Sequence, residues 1–246
     1  MRKGILGGSQ GGPGQRKTGT LRILELLGEN LVNYFRSGMI ALVGGTLYGA
    51  AVWVSSVSRS ILLTLLAGLA AGALLGPCLC GLTDTVLRSL RDMPGNWAET
   101  YRRAWRQNTR QSIPFGMAMG LILAGQIFAL RFGLYPGLTV VSMVILCGVF
   151  LYVWPQIALV ELRSMDVLRN AMVLTLSHPL KTVEIVLISA AWALLIWLLL
   201  PLSAILWAIG GLWFPALLIL YTLSDLLENT FHAEATLSAA PPRHPK

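Results

Sequence analysis

The chain has 246 residues, of which 55% are hydrophobic and only 12% charged, and its formal net charge is +8. Ordinary soluble domains carry about 25% charged residues, so a soluble helical fold would lack the polar surface it needs, and the apolar runs leave no room for a separate soluble domain. The composition is that of an all-α, polytopic membrane protein.

In chain order, residues 1–20 are basic and glycine-rich, with neither a continuous apolar stretch nor a small-residue cleavage pattern. They read as a disordered leader. Leu21 to Phe35 follows as an amphipathic segment in which Leu24, Leu27, Leu31 and Tyr34 broadly align. Six apolar runs come next: Gly38–Val57, Ile61–Leu82, Pro114–Leu130, Leu138–Val160, Ile185–Leu200 and Ile205–Leu223. A helix crosses the hydrocarbon core with about 20 largely apolar residues, in a range of about 17–25. The third run is marginal and the fifth slightly short; the fifth and sixth are parted by Pro201 and read as a tight hairpin. The expectation is six transmembrane helices as three hairpins in one domain, residues 21–228, with a flexible cytoplasmic tail at 229–246.

Charge sets the orientation. All of the 19 lysines and arginines except Arg59 and Arg131 fall on one side of this arrangement. Short positive loops are retained in the cytoplasm, so both termini are expected inside, which an even number of spans allows. A bacterial plasma membrane is the expected setting.

Glycines are spaced for helix contact. Gly68, Gly72 and Gly76 lie four apart in the second run, Gly45 and Gly49 in the first, and Gly116, Gly120 and Ala124 in the third. Small residues at this interval let helix backbones approach closely in lipid. The same spacing also suits a homo-oligomer. Prolines follow a coarser pattern: Gly76-Pro77, Trp154-Pro155 and Phe214-Pro215 each fall in the second helix of a hairpin, where Pro77, Pro155 and Pro215 are expected to kink the axis. Three related hairpins, or simply a bundle, would give this pattern.

The sharpest local feature is the connector from Asn96 to Arg110. As a helix it puts Trp97, Tyr101 and Trp105 on one stripe and Arg102, Arg106 and Arg110 on the next, with Arg103 beside them. Amphipathic aromatics favour the headgroup level and arginines meet anionic lipid headgroups, so an interfacial helix at the inner membrane surface is expected. A surface that docks a cytoplasmic partner would use the same residues. Juxtamembrane position explains the arginines without nucleic acid. Ser164 to His178 is a weaker version, with Met165, Leu168, Met172 and Leu176 as its apolar stripe.

Chemistry is not written in this chain. Cys78, Cys80 and Cys147 sit in apolar runs, and Cys78 and Cys80 diverge on a helix. His178, His232 and His244 are scattered without a second ligand at helical spacing. There is no zinc-protease, phosphate-loop or nucleophile-elbow motif. The expectation is a non-catalytic protein without metal or cofactor. Every acidic residue lies at or beyond a cytoplasmic helix end, and Gln126 is the deepest strongly polar group. That argues against a proton-coupled pump, and Gln126 is read as an interhelical hydrogen bond.

The run Gly76-Pro77, Asp84, Leu87-Arg88, Arg91-Asp92, Trp97, Tyr101, Trp105 and Asn108, followed by a third span, resembles the YesL family, a family of unknown function. The resemblance covers about residues 24–225; beyond the glycine-proline step and the aromatic-arginine connector it rests on hydropathy. Members are small multi-pass proteins of Gram-positive bacteria whose genes often lie beside sugar-uptake transporter and sensor genes. The resemblance therefore implies a setting, carbohydrate uptake, with a sugar transporter or sensor kinase as partner. An accessory or scaffold role is expected from this; a self-contained transport subunit for a neutral or sugar-like solute is the alternative. A coupling loop of the ATP-driven importer type is not found, which favours the accessory.

Overall fold

The computed structural model describes residues 19–93, 95–160, 162–198 and 211–231. Among these there are seven helices and no strand: α1 Thr20–Val57, α2 Ile61–Leu90, α3 Trp97–Arg131, α4 Pro136–Leu159, α5 Ser164–Ser177, α6 Pro179–Leu198 and α7 Trp213–Phe231. Five of them, α1, α2, α3, α4 and α6, are long and apolar enough to cross a membrane. The described residues are all-helical, and the five apolar helices make this a multi-pass membrane protein. The Pro201 turn, most of the leader and most of the tail lie outside the described residues. So does the start of the expected sixth run. The final helix continues to Phe231, into the segment expected as tail.

Two expected boundaries are not there. The amphipathic segment at 21–35 and the first apolar run form one helix of 38 residues, and the arginine connector and the third run form one of 35. At about 1.5 Å per residue these are roughly 57 and 52 Å long, against a hydrocarbon core of about 30 Å. The amphipathic segments are extensions of the helices that carry the spans, not separate interfacial helices. Pro114 sits inside α3 without ending it, and Pro77 and Pro155 lie inside α2 and α4. Pro215 does not: it stands in the first turn of α7, where a missing N–H breaks no helical bond. It cannot kink that helix as expected.

α2 and α3 form the centre of the bundle. Gly68 faces Ala124 and the Gly120 carbonyl, Gly72 faces Gly116 and Gly120, and Gly76 faces Ser112 and Gly116. A Cβ at Gly68, Gly72 or Gly76 would collide with backbone of the opposite helix. This is the close approach that small residues permit in lipid, and both glycine ladders are used, one against the other. The third pair behaves differently. Gly49 has nothing within 4 Å of where its Cβ would be, and Gly45 only the tip of Leu212. Gly44 makes the contact instead, against Cys78.

α1 packs along α2 by a stripe that includes Leu26, Tyr34, Ser37, Ala41, Tyr48, Val52 and Ser56, all buried. Of the residues that broadly align in this segment, Tyr34 is buried, whereas Leu24 and Leu31 are 63% and 49% exposed. Tyr34 hydroxyl bonds Ser89 Oγ at 2.5 Å and its ring stacks on Trp213. Tyr48 donates to the Gly120 carbonyl at 2.8 Å, tying α1 to α3 over the glycine interface. Gln126 donates to Ser142 Oγ at 3.2 Å, the interhelical bond expected of it. At the opposite end of the bundle, Arg131 lies over the Trp53 ring and donates to Ser56.

α5 is amphipathic, and it buries a different stripe from the apolar one at Met165, Leu168, Met172 and Leu176. Val167, Ala171 and Leu174 are buried, whereas Met165 and Leu176 are 78% and 80% exposed. An apolar face turned outward beside a membrane domain suits a helix resting at the lipid surface.

Candidate functional site

Two features stand out: a preformed basic arm at the charged end of the bundle, and an apolar cavity between the spans.

The arm is the first part of α3. Asn96 caps it, accepting from the Ala98 N–H at 3.0 Å. The aromatic stripe turns inward. Tyr101 is buried, with its ring in the slot left by Gly81 of α2, where a Cβ would lie 2.7 Å from the ring. Trp97 and Trp105 flank it, with ring centroids 5.2 and 6.0 Å away. Arg36 of α1 lies over Trp97 at 5.6 Å. Ala104 is buried on the same side. The aromatics therefore clamp the arm to α1 and α2. Gly81 is the residue that sequence reasoning missed; five residues beyond Gly76, it falls outside the four-residue spacing of the Gly68–Gly72–Gly76 ladder.

With one face clamped, the other carries the charge. Arg102, Arg103, Arg106 and Arg110 are all exposed, and none forms an ion pair among the described residues. Gln111, just beyond, donates to the Leu162 carbonyl at 2.8 Å and joins α3 to the α4–α5 link. The arginines thus stand on a helix held at both ends.

A half-buried ion pair fixes the turn that leads into the arm. α2 ends with Asp92 N–H bonded to Ser89 O and Met93 N–H to Arg88 O, the double bond pattern of a left-handed helix stop. Asp92 has φ 52°, a position glycine usually fills. The carboxylate explains the choice: Arg22 of α1 donates to it at 2.5 Å and to Glu25 at 2.9 Å, with the Arg22 side chain 5% exposed. One turn up α2, Arg88 pairs with the buried Asp84 at 2.7 Å. Arg22, Glu25 and Tyr34 of α1 thus gather around the C-terminal end of α2, at Ser89 and Asp92. No local pattern could have announced those three.

The Tyr101 hydroxyl is buried without a hydrogen-bond partner. A stranded polar atom costs about 1–3 kcal/mol. Tyr101→Phe should then leave thermal stability in detergent unchanged or higher, by up to about 1 kcal/mol. A fall in stability would mean that the hydroxyl is held by something in the folded protein.

The second feature is a partly open cavity of about 420 Å³ bounded by α2, α3, α4, α6 and α7. Phe150, Trp154 and Trp192 supply its aromatic wall, with Met119, Met143 and Cys147 opposite or beside them. Its polar side chains are already engaged. Thr83 donates to the Leu79 carbonyl at 2.8 Å, Ser189 to Ile185 at 2.9 Å and the Trp192 indole to Gly211 at 2.9 Å. Pro155 and Pro215 form part of the lining.

Among the described residues no three His, Cys, Asp or Glu side chains gather as a metal site. Compared with family models, curated proteins and solved structures, the chain matches none.

Proposed function

We propose that this is a non-catalytic accessory or scaffold protein of a bacterial plasma membrane, which docks a cytoplasmic component of a carbohydrate-uptake system, a transporter or sensor part, on its arginine face. In this reading six spans form three hairpins and both termini are cytoplasmic. The bias of lysine and arginine to one side supports the orientation. The carbohydrate setting comes from the YesL resemblance.

The observation that carries the docking role is the presentation of Arg102, Arg103, Arg106 and Arg110 on a helix whose other face is clamped by Tyr101 and Trp105. A row of guanidinium groups on a helix already held in place needs no backbone ordering on binding, and guanidinium matches carboxylates bidentately. Anionic headgroups are the competing ligand at this depth. The self-contained transporter is the weaker reading. A sugar in the apolar cavity would leave its hydroxyls unpaired, since the polar side chains on the wall bond within the protein, and unpaired buried hydroxyls are costly.

The test is a pull-down from native membranes in mild detergent, read by mass spectrometry, with Arg102→Glu/Arg103→Glu/Arg106→Glu as control. The variant should insert normally and recover about tenfold less of a transporter or sensor component, because like charges set against an acidic patch cost several kcal/mol. Equal recovery would reduce the arginine face to a membrane anchor.

A further inference from the structure

We infer that the cavity between α2, α3, α4, α6 and α7 is a binding site for one hydrocarbon chain of a membrane lipid. Its volume, about 420 Å³, lies in the range of about 300–1,000 Å³ that small-molecule sites occupy. Its apolar walls offer water few hydrogen-bond partners, and an apolar cavity of about 150 Å³ takes up hydrocarbon in preference to water. Left empty, the walls would lose the dispersion contacts that close packing supplies.

The wall chemistry narrows the occupant. Thr83, Ser189 and Trp192 each spend a donor on a backbone carbonyl of this chain. The rest of the lining is aliphatic, aromatic or sulfur-bearing, including Leu123, Met143 and Phe150. A ligand with hydroxyls or charges would surrender its hydration there without return. A chain of methylenes makes no such demand, and the two methionines on the wall adapt to its shape. The surrounding solvent of a membrane domain is itself hydrocarbon, so the occupant is at hand. The cavity and the arginine arm share no residue, so this proposal stands apart from the docking role.

The experiment uses the full chain in a sterol-type detergent, which has no alkyl tail to compete. Two probes are compared, palmitic acid with a photoreactive diazirine near its end and phosphatidylglycerol carrying the same chain. After illumination, the sites of attachment are mapped by mass spectrometry. The expected result is saturable labelling of the segments around Met143–Trp154 and Ser189–Ile196. Excess unlabelled chain should suppress it about tenfold, while attachment at the exposed Leu24 and Val43 of α1 persists. Ser189→Phe and Ala216→Phe, which fill the cavity from different helices, should each remove the same attachments. Labelling by the phospholipid alone identifies a bilayer lipid tail; labelling by both probes identifies a site for free chains as well. Attachment that spreads evenly over exposed positions and is not displaced by unlabelled chain would overturn the proposal, and that comparison needs no variant to fold.

Discussion

Gly72→Leu should separate α2 from α3 and cost the protein about 3 kcal/mol or more, since overpacking alone costs about 1–3 kcal/mol and here the obstacle is backbone. A Cβ at Gly72 would already collide with the Gly116 carbonyl and the Gly120 Cα, and neither can rotate aside. The helices would have to part along the whole ladder, which also loosens the Tyr48 bond to Gly120. Gly116→Leu acts on the same contact from the other helix and should cost as much. Combining the two should add little, because a separated interface cannot be separated twice. Gly49→Leu is the control: its side chain would enter open space, so a change within about 0.5 kcal/mol is expected. Thermal unfolding in mild detergent checks the set. If Gly72→Leu and Gly49→Leu melt together, the glycine ladder does not hold the bundle.

That ladder was legible in the sequence because its signal is local and its physics has few alternatives. Residues four apart share a helix face, and in lipid a face of glycines has little use except close approach. The helical class and the apolar runs were legible for the same kind of reason. The limits of α1 and α3 were not. Hydropathy rises sharply between Arg110 and Pro114, which looks like a boundary, yet the α3 helix is unbroken there. Helical hydrogen bonds are satisfied within the segment whatever surrounds it, so polarity marks a change of environment and not an end of structure. The aromatic stripe shows a second limit. Periodicity showed that Trp97, Tyr101 and Trp105 share a face, but only the slot at Gly81 reveals that the face turns inward. The Arg22–Asp92 pair joins residues far apart in sequence, and the cavity draws on five helices. Neither leaves a pattern within any one of them.

The Arg22–Asp92 pair leads to an asymmetric expectation. Asp92→Asn should cost about 2 kcal/mol, below the 3–5 kcal/mol of a fully buried pair because the carboxylate is 33% exposed. Asparagine tolerates the left-handed backbone at φ 52°, so this substitution removes charge without adding strain. It leaves a guanidinium that is almost fully buried with Glu25 as its remaining carboxylate in the pair. Arg22→Met should cost less, because the stem still packs and the two carboxylates it abandons are partly exposed to water. In the Arg22→Met background, Asp92→Asn should then cost less than in the native chain, and a double-mutant cycle of thermal stabilities measures that coupling. Equal losses in both backgrounds would show that Asp92 does not act through Arg22. The pair also fixes where α3 begins, and the arginine face is set from there. Asp92→Asn should therefore weaken partner capture in the pull-down while leaving every arginine of the face in place. Capture at full strength with a loosened turn would mean that the face does not depend on how its helix is held.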